Sequence, residues 1–141
     1  MDVAANIEGN RVDLKVKDLP IEAPLFDLGI ESILYLSAAI KRAGTIVLNG
    51  PAGVFEITDF AFGTVEMLNA CAESTGYAVM GGGHTATLVA KRGIAHKMGH
   101  VSTGGGACLD YIAGRPLPGV VSLEKSALAF SMDVTTTVDS V

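Results

Sequence analysis

Residues 77–92 read YAVMGGGHTATLVAKR. Tyr77 to Met80 has the length and composition of a short strand, Gly81-Gly82-Gly83 breaks it, and HTATLVAKR opens a short helix closed by Lys91, Arg92 and Gly93. The same unit stands on either side. Upstream, TIVL (45–48) is β-branched and uncharged, as a strand covered on both faces would be, and it runs into Asn49-Gly50-Pro51-Ala52-Gly53. Thr58 or Asp59 can cap the helix that follows, in which Ala61, Val65, Leu68 and Ala72 share a face and which Gly76 ends. Downstream, His100-Val101-Ser102 is a short strand, Thr103-Gly104-Gly105-Gly106 its loop, and ACLDYIA its helix, ended by Gly114 and the prolines at 116 and 118. Three such units in series predict an α/β protein with a parallel sheet and right-handed crossovers. Ligands of such sheets sit at the carboxyl ends of the strands.

Before these units, RVDLKVK (11–17) alternates Val12, Leu14 and Val16 with charged residues, which predicts a half-exposed strand. Glu8-Gly9-Asn10 is turn chemistry and makes Val3 to Ile7 its hairpin partner. Pro20 and Pro24 mark a loop. Asp27 to Ala43 predicts a helix with Ile30, Ile33, Leu34 and Ala38 near one face, acids early, Lys41-Arg42 late and Gly44 as stop. Beyond Pro118 the pattern fades, with a further helix expected over Leu123 to Met132. One domain is expected over residues 1–130, with a frayed tail over 131–141.

The 141 residues are 49% hydrophobic with a mean hydropathy of +0.43, which excludes a disordered chain. No run reaches the roughly 18 uncharged apolar residues of a membrane span. The start, MDVAANIEGN, has no basic segment followed by an apolar one, so the expected location is cytoplasmic, with Cys71 and Cys108 reduced and filling the core. Met67, Met80, Met98 and Met132 share no helical face and are also expected in the core. A net charge of −5 with scattered Lys and Arg disfavours nucleic acid as a partner.

Glycine makes up 17 of the 141 residues, against a usual share of about 7%. The triplets at 81–83 and 104–106 each lie between a strand and a helix, where backbone N–H groups and the positive helix end can hold phosphate oxygens. Tight βα turns alone would explain one glycine in each loop rather than three. GGGHTA matches the dinucleotide pattern G-x-G-x-x-A. About twenty residues on, however, Ser102-Thr103-Gly104 stands where an acid should hold a ribose, which sets a nicotinamide oxidoreductase aside. No P-loop pattern occurs, and neither triplet carries a lysine. His96 and His100 have i, i+4 spacing, but glycines interrupt and no third metal ligand is near. Glu56, at the mouth of the first glycine loop, could accept from ribose hydroxyls or serve as a helix N-terminal acid.

Taken together, TIVLNGPAGVFEITDFAFG (45–63), GGGHTAT (81–87) and HVSTGGGA (100–107), followed by GRPLPGV, resemble phosphoglycerate kinase, in order and spacing, across about Asp27 to Val120. The histidine after the three glycines looks like the archaeal branch. The resemblance implies the later part of the lobe that binds ADP or ATP, a partial three-layer, Rossmann-like parallel sheet with an N-terminal β-hairpin. It assigns Glu56 to the ribose hydroxyls, Asn49 to the loop beside the phosphates, and Gly82, Gly83, His84 and Thr85 to the phosphate-binding helix start. Gly105 and Gly106 would face the transferring phosphoryl group. His84 stands where many members carry an aspartate that holds Mg2+. The ion is therefore expected to be held mainly by nucleotide and water, and no residue is assigned as its ligand. The family's phosphate-contacting lysine and catalytic arginine have no counterpart here. The implied activity, exchange of phosphate between 1,3-bisphosphoglycerate and ADP, would then need the N-terminal part of the kinase as partner, and an unpaired sheet edge would favour self-association. The alternative is a non-catalytic nucleotide-binding or assembly module.

Overall fold

Glu8 and Gly9 both take positive φ, 50° and 89°, the conformation that a two-residue hairpin turn demands. Around them, in the computed structural model, which describes residues 1–130, β1 (Asp2–Ile7) pairs antiparallel with β2 (Asn10–Lys15), Ile7 opposite Asn10. The expected hairpin is thus present, although β2 ends at Lys15 and Val16–Asp18 forms a 3-10 turn instead of continuing the strand. A third strand, β3 (Leu25–Leu28), pairs antiparallel with the other side of β1.

Asp27 and Leu28 therefore lie in a strand and not in the first turn of a helix as expected; α1 runs from Ile30 to Arg42. The reason is a buried ion pair. Arg11 Nη1 lies 3.0 Å from Asp27 Oδ2, whose side chain is wholly buried, while Arg11 Nη2 donates to the Leu28 carbonyl at 2.7 Å. These bonds hold residues 27 and 28 extended beside the hairpin. The face of α1 is also turned from the expected one. Of the expected face, Ile33 is buried, but Ile30 and Leu34 are 48% and 65% exposed and Ala38 is exposed, whereas Ser32 is buried. Asp2 sets this rotation: its carboxylate accepts from the N–H groups of Glu31 (3.1 Å) and Ser32 (2.8 Å), and its own N–H donates to Ser32 Oγ at 2.8 Å. Docking that turn of the helix against β1 turns Ile33, Leu36 and Ile40 inward in place of Leu34 and Ala38.

The second sheet is parallel, in the order β4 (Thr45–Asn49), β5 (Tyr77–Gly81), β6 (His100–Val101), with Ile46 opposite Ala78 and Leu48 opposite Met80. The crossovers carry α2 (Phe62–Glu73) and α3 (Gly83–Lys91). Ile46, Ala78 and Met80 form one core with Leu68 and Cys71 of α2, Val89 of α3 and Met98, with Ile40 of α1 packed against it. All three helices thus cover one face. The other face keeps Val47 and Tyr77 46% and 56% exposed in this part of the chain, so β4 is not covered on both faces as its composition suggested.

α2 begins at Phe62 and not at a cap on Thr58 or Asp59, because Thr58–Phe60 forms a 3-10 turn and Ala61 occupies the cap position. Asp27 Oδ2 supplies the missing acceptor, taking the Gly63 N–H at 2.9 Å. Of the expected face, Leu68 is fully buried and Ala61, Val65 and Ala72 are half-buried. Gly63, Thr64, Met67, Ala70 and Cys71 are buried as well, since α2 packs against α1, β3 and the sheet. Burial pushes the Cys71 thiol up to about 11, as befits a core filler; Cys108 is only half-buried.

The chain divides after Gly105 into two compact units. The second carries α4 (Gly106–Ile112) and α5 (Pro118–Ala129), the latter opened by Pro118 five residues before the expected start. The end of that expected helix at Met132 and the expected tail lie outside the described residues. Among the described residues no helix is long and apolar enough to cross a membrane.

Asp27→Ala leaves the Arg11 charge, itself 14% exposed, without its buried partner, and is expected to lower unfolding free energy by roughly 3–5 kcal/mol in urea titration. Burial by itself would raise the Asp2 carboxyl; the Ser32 and Glu31 N–H groups, the Ser32 hydroxyl and the Lys15 charge outweigh it and hold Asp2 below its ordinary 3.8. A lowered pKa means stability present above the ordinary value and lost as pH falls through the lowered one. Asp2→Asn is therefore expected to flatten the acid limb of a stability-versus-pH curve.

Candidate functional site

β4 and β5 end side by side, Asn49 in register with Gly81, so the loops that leave them start as neighbours. The Gly50 N–H bonds to the Gly81 carbonyl at 3.3 Å and to Thr85 Oγ at 3.1 Å, locking one loop to the other. Asn49 Oδ1 lies against Gly81, where a side chain would have no room. Asn49, Gly82, Gly83, His84 and Thr85, assigned by resemblance, are thus brought together. Thr85 is 1% exposed and its hydroxyl is taken by Gly50, so what it can offer a ligand is its backbone N–H.

Gly82 caps α3 at φ 91°, a conformation glycine adopts readily and other residues do not. Gly83 is different. A Cβ there would meet nothing within 4 Å, so packing does not call for glycine, and the surface in front of it is open. The first helical bond runs from the Ala86 N–H to the Gly82 carbonyl at 3.0 Å, which leaves the N–H groups of Gly83, His84 and Thr85 ahead of the ladder. No side chain caps this end, and no acid lies in its first turn. The other helix starts of the first unit are occupied by carboxylates. Asp2 takes two N–H groups of α1, Asp13 Oδ2 takes that of Ile30 at 3.0 Å, and Asp27 serves α2.

Glu56 is exposed on a turn closed by the Ile57 N–H and the Val54 carbonyl at 3.0 Å. The Phe55 ring lies 6.0 Å from the His84 ring, centroid to centroid, which sets this turn beside the start of α3. The ribose acceptor and the phosphate-binding amides of the resemblance therefore border the same surface. Thr64, on α2 and 3% exposed, anchors the loop through Oγ, accepting from Ala52 at 3.0 Å and Gly53 at 3.2 Å. Thr64 and Asp27 carry no sequence signal for such a role: one sits inside a helix pattern, and the other reads as the starting acid of one.

Gly105 has φ 55° and ends the first unit; Gly106 opens α4 in the second. His96 and His100 are exposed, in the Ala95–Lys97 turn and at the start of β6. Among the described residues, no three His, Cys, Asp or Glu side chains gather as a metal site would require. The donors at the start of α3, amides and an imidazole, suit an anion and do not fit direct ligation of Mg2+.

A family model described as phosphoglycerate kinase matches residues 1–115. The phosphoglycerate kinase of Methanothermus fervidus is 44% identical over 126 residues, 89% of this chain and 30% of the relative. Phosphoglycerate kinase 2 of Methanosarcina acetivorans is 45% identical over 130 residues, 92% and 31% of the two chains. The solved phosphoglycerate kinase of Pyrococcus horikoshii OT3 superposes with a TM-score of 0.73 at 37% identity, covering 87% of this chain and 31% of that one. The chain spans about a third of the length of the relatives it matches.

Thr85→Val removes one of the two acceptors of the Gly50 N–H while keeping the shape of the side chain, and the Gly81 carbonyl remains. Its expected effect is a loss of about 0.5–1.5 kcal/mol in stability, with faster amide exchange at Gly50 than in the unaltered chain and little change at Ala52 and Gly53, which Thr64 holds.

Proposed function

The chain belongs to the phosphoglycerate kinase family, and from that premise we propose that it forms the ADP- and ATP-holding part of such an enzyme. The ribose hydroxyls donate to Glu56, and the phosphates lie over the start of α3, met by the N–H groups of Gly83, His84 and Thr85 with Asn49 alongside. The observation that carries this reading is the uncapped, open start of α3, in a unit where buried or hydrogen-bonded carboxylates serve the other two helices. A helix end with free amides and no acid of its own is where an anion gains most. Gly105 and Gly106 would present their N–H groups to the transferring phosphoryl group, and Mg2+ would arrive on the nucleotide, keeping water and phosphate as its ligands.

The reaction of the whole enzyme, exchange of phosphate between 1,3-bisphosphoglycerate and ADP, needs donor and acceptor oxygens held about 3–3.5 Å apart, a contribution of roughly 7–11 kcal/mol. The chain spans about 30% of the length of the relatives it matches, and its resemblance is to the lobe that binds nucleotide rather than to the one that would hold the acyl phosphate. A coupled assay of the purified 141-residue chain is accordingly expected to give turnover at least five powers of ten below a complete kinase; turnover near the complete enzyme's, lost in Gly105→Val, would reject this.

For binding itself, the Gly83→Val, Gly105→Val double variant is expected to lose ADP affinity by on the order of tenfold or more. Unchanged affinity by calorimetry would remove the glycine loops from the site.

A further inference from the structure

The turn that carries Glu56 is clamped at both ends by groups distant in sequence. On the near side, the Thr64 hydroxyl accepts from both Ala52 (3.0 Å) and Gly53 (3.2 Å), which uses both of its lone pairs. The Val54 N–H then donates to the Phe26 carbonyl at 2.7 Å. On the far side, Arg11 Nη1 donates to the Asp59 carbonyl at 2.9 Å while also pairing with Asp27. Gly53 packs closely on β3, where an added Cβ would lie 2.5 Å from Asp27 Oδ1. Thr64 is 3% exposed and faces the loop from inside, so it cannot itself meet a nucleotide.

We infer that Thr64 is a positioning residue that holds the Glu56 carboxylate in its ribose-accepting place before nucleotide arrives. This rests on the reading of Glu56 as the ribose acceptor. A loop fixed in advance loses little conformational freedom on binding, whereas one released at residues 52 and 53 would have to be ordered by the ligand. The consequence is specific to the nucleoside: Thr64 should matter for ADP and not for a ligand that has phosphates alone, because the amides of α3 are held by other groups. Thr64 and Glu56 should also act as one unit, so their losses should not multiply.

The test measures binding of ADP and of inorganic tripolyphosphate by calorimetry to the full chain and to Glu56→Ala, Thr64→Val, Thr64→Ser and the Glu56→Ala, Thr64→Val double variant. Thr64→Val and Glu56→Ala are each expected to weaken ADP on the order of tenfold, as loss of one good hydrogen bond would. The double variant should be no weaker than either single one, tripolyphosphate should be unchanged throughout, and Thr64→Ser should restore ADP binding. Thermal melts confirm that each variant is folded at the assay temperature; if Thr64→Val is not, Thr64→Cys, whose sulfur is a weak acceptor, takes its place with the same expected order. Wild-type ADP affinity in Thr64→Val beside a weakened Glu56→Ala overturns the inference alone, as does equal loss of both ligands or multiplying losses in the double variant. Unchanged ADP affinity in Glu56→Ala overturns the ribose reading, and the inference with it.

Discussion

The buried pairing of Arg11 with Asp27 ties together the hairpin, the second helix and the glycine loop after β4. Two charges removed from water are tolerated only when each is paired and its remaining hydrogen-bonding capacity is met. Here Asp27 accepts from Leu28, Gly63 and Arg11, and the guanidinium reaches Asp13, Asp27 and the carbonyls of Leu28 and Asp59. The centroid of the Phe62 ring lies 5.5 Å from the guanidinium carbon. The carboxylate leaves no room for side chains at Gly53 and Gly63, so these two glycines answer to packing.

That distinction sorts the glycines of the chain. Gly53, Gly63 and Gly81 are crowded by Asp27 or Asn49, and Gly82 and Gly105 turn the chain at positive φ. Gly44, Gly83, Gly106 and Gly119 have neither reason, with open space and ordinary φ, and the last three stand at helix starts. Packing therefore leaves the surface in front of Gly83 open, at a helix start without a carboxylate. Acid placement follows the same logic. Asp2, Asp13 and Asp27 come from the antiparallel sheet to occupy the starts of α1 and α2, where the helix dipole rewards them.

Strand, glycine turn and helix were legible wherever composition is local: β5 covers YAVM and α3 covers most of HTATLVAKR, although Gly81 joins the strand and Gly83 the helix so that Gly82 alone separates them, and the hairpin falls where Glu8-Gly9 turns. The start of α1 was not, because Asp27 is a helix-starting acid by sequence and a strand residue by partnership with Arg11, 16 positions away. The face of α1 was missed for a related reason: Leu34 and Ala38 satisfy the helical period as well as Leu36 and Ile40 do, and only Asp2 with Ser32 selects between them.

The sequence by itself determined the alternation of units, the parallel sheet, the glycine loops at strand ends and the family motifs, since each is written in contiguous residues whose backbone preferences do not depend on distant partners. Tertiary structure alone decided which loop residues face outward and which hold the site together. Along the chain Thr64 reads as an ordinary hydroxyl, and Thr85 is marked by the family resemblance alone and not as an anchor; each became an anchor because folding buried its oxygen against an N–H from another loop, and a buried N–H left unpaired costs about 1–3 kcal/mol. That penalty is a property of two segments brought together, and no single stretch of sequence contains it.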